Sequence, residues 1–169
     1  MTPDNELLDL AARLGARLLQ QRLTVTAAES CTGGLVAGAI TAIAGSSGWF
    51  DRGFVTYSNE AKQQMLGVSH ELLAEFGAVS EPVARAMAEG ALAHSLADLA
   101  VSVTGIAGPG GATLGKPVGM VCFGWAWRAG PTTVATAHFP GERAAIRALS
   151  VRNALQGLLI RLDSYPSAR

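Results

Sequence analysis

The order in which strand and helix patterns follow one another constrains the fold of this chain most. Residues 23–29 and 98–104 predict two buried strands, and helical patterns separate them. Alternating stretches at 118–128 and 132–139 flank a Gly-Pro turn and predict a β-hairpin, which a last helix follows. Strands that first alternate with helices and then form a hairpin predict an α/β fold, a three-layer α/β/α sandwich around a mixed sheet.

The remaining elements follow from apolar spacing and capping residues. Thr2 and Pro3 predict the start of the first helix, and Asn59, Ser69 and Ser80 each predict the N-cap of a later one. The expected helices are 4–22, 35–43, 60–66, 70–76, 81–96 and 142–162, and a further strand is expected over 52–57.

The composition limits the class of protein. The chain has 169 residues, of which 49% are apolar and 15% are charged, whereas disordered chains have few apolar and many charged residues. Its length fits one domain over 1–169. Basic and acidic residues number 13 each, so the net charge favours neither nucleic acid nor an anionic membrane as a partner.

Signals for membrane insertion, secretion and metal binding are missing from the sequence. The apolar stretches are interrupted well before the roughly 20 residues that a bilayer span needs. Asp4 and Glu6 stand where a secretory signal would carry positive charge. Cys31 and Cys122 form neither a metal-binding spacing nor a disulfide framework. We therefore expect a cytoplasmic globular protein that needs no metal.

The glycine-rich segment 105–116 partly matches a phosphate-binding loop. Residues 110–116 fit the spacing GxxxxGK, but Pro117 follows where a hydroxyl should bind magnesium. A strand pattern comes next, so no helix N-terminus faces a phosphate. A nucleoside triphosphatase is therefore disfavoured. The segment is either a turn between strands or a loop whose backbone N–H groups contact a ligand.

Ser30 stands where the predicted strand 23–29 ends and a glycine turn leads into a helix. A serine there would lie at the carboxyl edge of the sheet, beside unpaired helix N–H groups that can stabilise an oxyanion. A serine in this position is more often a simple N-cap. The three histidines, His70, His94 and His138, have no acidic partner pattern, which disfavours a Ser-His-Asp triad.

A lysine offers another base. Lys62 and Lys116 are the only lysines among 13 basic residues, and arginine cannot replace a lysine that must lose its proton. Lys62 follows Tyr57 in the first turns of a predicted helix, where burial at the sheet edge would favour the neutral amine. A neutral lysine can deprotonate a serine. Taken alone, these residues fit a solvated lysine better.

Two arginines follow in the last predicted helix. Arg143 and Arg147 lie one turn apart, so together they suit a phosphate or carboxylate ligand. A solvated helix face with Glu142 as local partner is the alternative.

Six sequence blocks, in order along the chain, resemble one known family. They are TAAESCTGG (26–34), AGSS (44–47), GFVTYSNEAK (53–62), GAVSE (77–81), TGIAGP (104–109) and KPVG (116–119). Together they resemble the CinA C-terminal-domain family, and most closely its stand-alone nicotinamide-nucleotide amidases. The resemblance extends over residues 5–162. It implies hydrolysis of the carboxamide of nicotinamide mononucleotide to nicotinate mononucleotide and ammonia, a step of pyridine nucleotide salvage.

The resemblance also implies roles for individual residues. Ser30 would be the nucleophile, Lys62 the base and Tyr57 an aid to proton transfer, with no metal or cofactor. N–H groups near Cys31 to Gly33 would hold the oxyanion. The implied substrate contacts are Cys31, Thr32, Gly33, Asn59, Thr104, Gly105 and Gly108, with Lys116 and Arg143 as candidates for the phosphate.

Two alternatives remain open from the sequence. A non-catalytic relative that senses a nucleotide or binds a partner in competence or DNA damage would carry similar blocks, but the presence of Ser30, Tyr57 and Lys62 favours the enzyme. The Ala-rich helices 33–43 and 81–96 suit a symmetric interface, so we expect a homodimer. The same helices could instead pack on the sheet of their own chain.

Overall fold

A computed structural model of the protein describes residues 4–164. The chain forms one five-stranded sheet with helices on both faces. The strands are β1 (Val25–Glu29), β2 (Phe50–Val55), β3 (Leu99–Gly105), β4 (Met120–Trp127) and β5 (Thr133–His138). The helices are α1 (Asn5–Gln21), α2 (Leu35–Thr41), α3 (Asn59–Leu66), α4 (His70–Phe76), α5 (Glu81–Ala93) and α6 (Arg143–Ser164).

The sheet is mixed, in the order β2-β1-β3-β4-β5. β1 runs parallel to both β2 and β3, whereas β4 is antiparallel to β3 and β5. Helices α1, α2 and α6 cover one face, and α3, α4 and α5 cover the other, each over its own apolar cluster. The predicted α/β/α sandwich with a mixed sheet is therefore confirmed.

The central position of β1 fixes where Ser30 lies. Every residue of β1 is buried, because strands flank it on both edges and helices cover both faces. Its last residue, Glu29, pairs with Val103 of β3, so the two strands end at the same edge of the sheet. In open α/β sheets this carboxyl edge is where ligands bind.

Helix capping agrees with the sequence at two of the predicted positions. Ser69 and Ser80 accept hydrogen bonds from the N–H groups of Leu72 and Val83. The prediction for Asn59 is wrong, because Ser58 caps α3 and Asn59 is its first residue.

Several element boundaries also differ from prediction. The second strand, predicted over 52–57, is β2 at Phe50–Val55, so Tyr57 lies beyond its end. The helix predicted over 81–96 ends at Ala93. Thr2 and Pro3 lie outside the described residues, and Asp4 is the N-cap of α1. None of the helices in residues 4–164 combines the length and apolar character needed to cross a membrane.

Candidate active site

A cavity of about 310 Å³ opens at the carboxyl ends of β1 and β3. Nine of the predicted site residues line it: Ser30, Cys31, Tyr57, Asn59, Lys62, Thr104, Gly105, Gly108 and Arg143. The other lining residues lie in the GAVSE block and the glycine-rich segment, although no sequence pattern assigned any of them an individual role; they are Ala78, Val79, Ile106, Ala107, Gly110 and Gly111.

Ser30 and Lys62 lie in direct contact at the bottom of this cavity. Lys62 Nζ is 3.0 Å from Ser30 Oγ, and the lysine side chain is only 1% exposed. Nζ also donates to the carbonyl oxygens of Thr56, at 2.9 Å, and Tyr57, at 3.4 Å. The segment between β2 and α3 thus presents two acceptors to the amine, because α3 begins only four residues after β2 ends.

The surroundings of Lys62 shift its protonation equilibrium toward the neutral amine, although a group with a pKa of about 8 is still mostly protonated at pH 7. Burial lowers the pKa of Lys62 from 10.5 to about 8, since a buried ammonium loses its hydration. A neutral amine has two N–H groups and one lone pair. In the structure Nζ donates to Ser30 Oγ and to both carbonyl oxygens; once the amine loses a proton, the two carbonyl oxygens can keep the remaining N–H groups, and the lone pair then faces the Ser30 hydroxyl. This arrangement suits Lys62 to take the proton of Ser30.

Cys31 is the other potential nucleophile at this position, but its environment disfavours the thiolate. Burial raises the pKa of the Cys31 thiol to about 11, so the group is protonated at neutral pH. Since the thiolate is the reactive form, Ser30 is the better nucleophile of the two.

The buried carboxylate of Glu29 organises the turn after β1. Glu29 accepts from the Thr32 hydroxyl at 2.7 Å and from the N–H groups of Val36 and Ala37 at 2.8 and 3.0 Å. The first-turn amides of α2 are therefore occupied, and the expectation that unpaired helix N–H groups would face an oxyanion is wrong. The sequence did carry a signal for Glu29, an acid directly before a glycine turn and a helix.

Thr32 and Gly33 do not line the cavity. The Thr32 hydroxyl is bound to Glu29, and the Gly33 N–H donates to the Ser30 carbonyl oxygen at 3.0 Å. Both residues shape the turn that carries Ser30. The Gly33 amide is consequently not free to hold an oxyanion, whereas the Cys31 amide donates to no oxygen of the described residues.

Arg143 and Arg147 have different partners, although they lie one turn apart on α6. Arg143 reaches the cavity rim, where it donates to the Gly108 carbonyl oxygen at 2.8 Å and to the Tyr57 hydroxyl at 3.2 Å. Arg147 donates to the carbonyl oxygens of Cys31 and Thr32 instead. Of the two arginines, only Arg143 lines the cavity that contains Ser30.

Lys116 is not among the lining residues. Its amine donates to the Phe76 carbonyl oxygen at the end of α4 and so ties the glycine-rich segment to that helix. Thr104 does line the cavity, and its hydroxyl donates to the Ala78 carbonyl oxygen at 2.9 Å. Within residues 4–164 no group of three or more His, Cys, Asp or Glu side chains could hold a metal ion.

Comparison with known proteins identifies close relatives of this chain. It is 55% identical over 155 residues to the nicotinamide-nucleotide amidohydrolase PncC of Escherichia coli (strain K12), which covers 92% of this chain and 94% of the relative. A putative competence-damage inducible protein of Symbiobacterium thermophilum is 54% identical, over 89% of this chain but 39% of the longer relative.

Solved structures agree with the sequence relatives. The crystal structure of the competence/damage inducible protein CihA from Agrobacterium tumefaciens superposes with a TM-score of 0.91 at 49% identity, covering 96% of this chain and 98% of that one. The family model of the CinA C-terminal domain matches residues 7–162. The chain therefore belongs to the CinA C-terminal domain family.

Proposed function

We propose that the protein hydrolyses the carboxamide of nicotinamide mononucleotide, with Ser30 as nucleophile and Lys62 as base. The chain is an amide hydrolase in this account, consistent with its 55% identity to an enzyme named for that reaction. The observation that carries the proposal is the 3.0 Å contact between Lys62 Nζ and Ser30 Oγ in a cavity at the carboxyl edge of the sheet.

Acylation begins when Ser30 Oγ attacks the carboxamide carbon and its proton passes to Lys62 Nζ. The carbonyl oxygen of the substrate becomes an oxyanion, and we infer that the N–H of Cys31, the residue after the nucleophile, binds it. Lys62 then returns the proton to the amide nitrogen, the C–N bond breaks and ammonia leaves. The nicotinoyl group remains as an ester on Ser30.

Deacylation follows the same proton route. A water molecule attacks the ester while Lys62 accepts one of its protons. The bond to Ser30 Oγ breaks, and Lys62 returns the proton to the serine. Nicotinate mononucleotide leaves as the carboxylate, and the second proton of the water passes to solvent. Tyr57 supports this cycle through its carbonyl oxygen, which accepts from Lys62, and we infer that its hydroxyl assists proton transfer at the rim.

The rim supplies the groups that would hold the substrate. Arg143 is a cation at the edge of the cavity and, in this proposal, donates to the phosphate. Asn59, Thr104 and the backbone of Gly105 and Gly108 would contact the pyridine and ribose. Lys116 and the turn residues Thr32 and Gly33 contribute indirectly, because they hold the loops that carry these groups.

Ammonia release from nicotinamide mononucleotide by the purified protein tests the proposal. The wild type should be active, and Ser30→Ala and Lys62→Arg should each lose at least about 1,000-fold in kcat. Ser164→Ala, a change of an exposed serine at the end of α6 that does not line the cavity, is the matched control and should keep full activity. Wild-type turnover by a folded Ser30→Ala variant would contradict the mechanism.

The same experiment separates the enzyme from the alternative family role. A folded wild type that binds the nucleotide but releases no ammonia would indicate a sensing module instead. We further propose that the protein acts in the cytoplasm, in pyridine nucleotide salvage, as a homodimer. Sedimentation of the pure protein measures the oligomeric state directly.

A further inference from the structure

The turn that carries Ser30 is held from outside the cavity by Arg147 of α6. Arg147 Nε donates to the Cys31 carbonyl oxygen at 3.1 Å, and Nη2 donates to the Thr32 carbonyl oxygen at 3.2 Å. A guanidinium presents its N–H groups in a rigid fork, so it fixes two neighbouring carbonyl groups at once. A single cationic side chain therefore determines how two successive peptide groups of this turn are oriented.

These contacts lead to the amide beside the nucleophile through a short series of peptide groups. A trans peptide is planar, so holding its C=O on one side directs its N–H to the other. Arg147 holds the C=O of Thr32, and the N–H of that peptide, on Gly33, donates to the Ser30 carbonyl oxygen at 3.0 Å. That Ser30 carbonyl belongs to the peptide group between Ser30 and Cys31. The N–H of the same peptide group is that of Cys31, a residue that lines the cavity.

The series should also strengthen the Cys31 amide as a donor. Hydrogen bonds that follow one another polarise the groups between them, and the effect is larger in a buried environment. The positive charge of Arg147 at one end thus increases the partial positive charge of the Cys31 N–H at the other. An oxyanion forming on the substrate would benefit, because it binds the more polarised donor more strongly.

Gly33 has a backbone conformation that this turn requires. Its φ is +55°, a left-handed conformation that favours glycine, and a Cβ built there would lie 3.4 Å from Arg147 Nη2. That distance is ordinary van der Waals contact, so the left-handed φ of the turn, and not crowding against the guanidinium, calls for glycine at this position. The presence of glycine at position 33 is therefore explained by the turn, without any contact between Gly33 and the substrate.

We propose that Arg147, which borders with Arg143 a neighbouring cavity of about 640 Å³, acts as a positioning residue that orients and polarises the Cys31 amide for the oxyanion rather than as a phosphate ligand. The inference rests on the proposed amide hydrolysis at Ser30. It assigns different tasks to two arginines on one helix, with Arg143 at the substrate and Arg147 at the backbone of the nucleophile turn.

The test compares Arg147→Ala and Arg147→Lys on nicotinamide mononucleotide and on nicotinamide riboside, which has no phosphate. We expect kcat to fall about 10- to 100-fold with both substrates, with KM changed less than about threefold. Lysine should not restore kcat, because one ammonium cannot reproduce the two-carbonyl fork. Added guanidinium ion should restore part of the kcat of Arg147→Ala.

Arg152→Ala is the matched control. Arg152 lies on the same helix but pairs with Asp4 and Glu6, at 2.8 and 2.9 Å, away from the cavity. Its kcat and KM should equal those of the wild type. Melting temperatures of all variants establish folding, and Arg147→Lys decides the question if Arg147→Ala does not fold.

Four results would overturn the inference. A rise in KM for the mononucleotide alone, with unchanged kcat, would make Arg147 a phosphate ligand. Full kcat in a folded Arg147→Lys variant would remove the requirement for the fork. A wild type that releases no ammonia would overturn the proposed function as well, whereas an active wild type with an equally active Arg147→Ala would overturn this inference alone.

Discussion

The floor and the rim of the cavity are built in opposite ways. On the floor, Ser30 is 8% exposed and Lys62 1% exposed, and each is fixed by contacts within the buried edge of the sheet. On the rim, Tyr57 is 62% exposed, and Arg143 also lies at the surface. Burial changes the chemistry of a charged group, whereas exposure leaves it solvated and adaptable. The floor should therefore govern kcat, and the rim should govern KM.

Replacement of Lys62 by Met should have the largest effect on kcat while leaving the free energy of unfolding undiminished. We expect Lys62→Met to lose at least about 1,000-fold in kcat, because no base remains beside Ser30. Its free energy of unfolding at pH 7 should not fall below that of the wild type, since the variant no longer has to bury an amine that is charged in water. The variant leaves the Thr56 and Tyr57 carbonyl oxygens without this donor, which limits any gain. Ammonia release and chemical denaturation measure the two quantities.

A second measurement on the same pair of proteins, the pH dependence of the free energy of unfolding, tests whether Lys62 is buried with a lowered pKa. The pKa of Lys62 is about 8 in the folded chain and 10.5 in the unfolded chain. The unfolded chain therefore binds more protons than the folded chain between these two pH values. The stability of the wild type should rise over that window relative to Lys62→Met, by up to about 3 kcal/mol. Parallel curves for the two proteins would contradict a buried, neutral Lys62.

Removal of Arg143 should affect binding more than chemistry. Arg143→Ala should raise KM for nicotinamide mononucleotide about tenfold or more, through loss of a charge-assisted contact with the phosphate, and should change kcat less. KM for nicotinamide riboside should change little, because that substrate has no phosphate. Steady-state kinetics with the two substrates check this, and an equal effect on both would place Arg143 outside the phosphate site.

Replacement of Lys116 should have the smallest effect. Lys116 does not line the cavity, and its amine donates to a backbone carbonyl at the end of α4. We expect Lys116→Ala to change kcat and KM by no more than about threefold, as is usual for a surface contact. A tenfold rise in KM for the mononucleotide would instead assign Lys116 to the phosphate, as the sequence resemblance suggested.

The sequence predicted the residues of the cavity floor more completely than the contacts at its rim. Local patterns made Ser30, at the end of a strand before a glycine turn, and Lys62, in the helix after β2, candidates, and the family blocks that contain both residues implied their roles. Such signals are local. The partners of Arg143 and Arg147 are not, because Gly108 and the Cys31–Thr32 carbonyls lie 35 to 116 residues away along the chain. Only the packing of α6 across the sheet determines which carbonyl each arginine reaches.

Glu29 illustrates why a correctly predicted helix does not by itself identify the oxyanion donors. The sequence placed a helix after Ser30 and therefore offered its amides to an oxyanion. The structure places the buried Glu29 carboxylate on those amides, so the proposed donor is the Cys31 N–H in the turn itself, which donates to no oxygen of the described residues. Helical periodicity indicates where a helix lies, but it does not indicate which group occupies its first N–H donors.

The central claim, that neutral Lys62 activates Ser30, is tested most directly by the pH dependence of kcat/KM for the wild type and for Arg143→Ala. The measurement runs from about pH 6.5, where a phosphate monoester is already mostly dianionic, to about pH 9.5. The account predicts that kcat/KM rises about tenfold per pH unit, levels off with a midpoint near 8, and has the same midpoint in both proteins. A flat profile, or one that falls as the pH rises through 8, would contradict it.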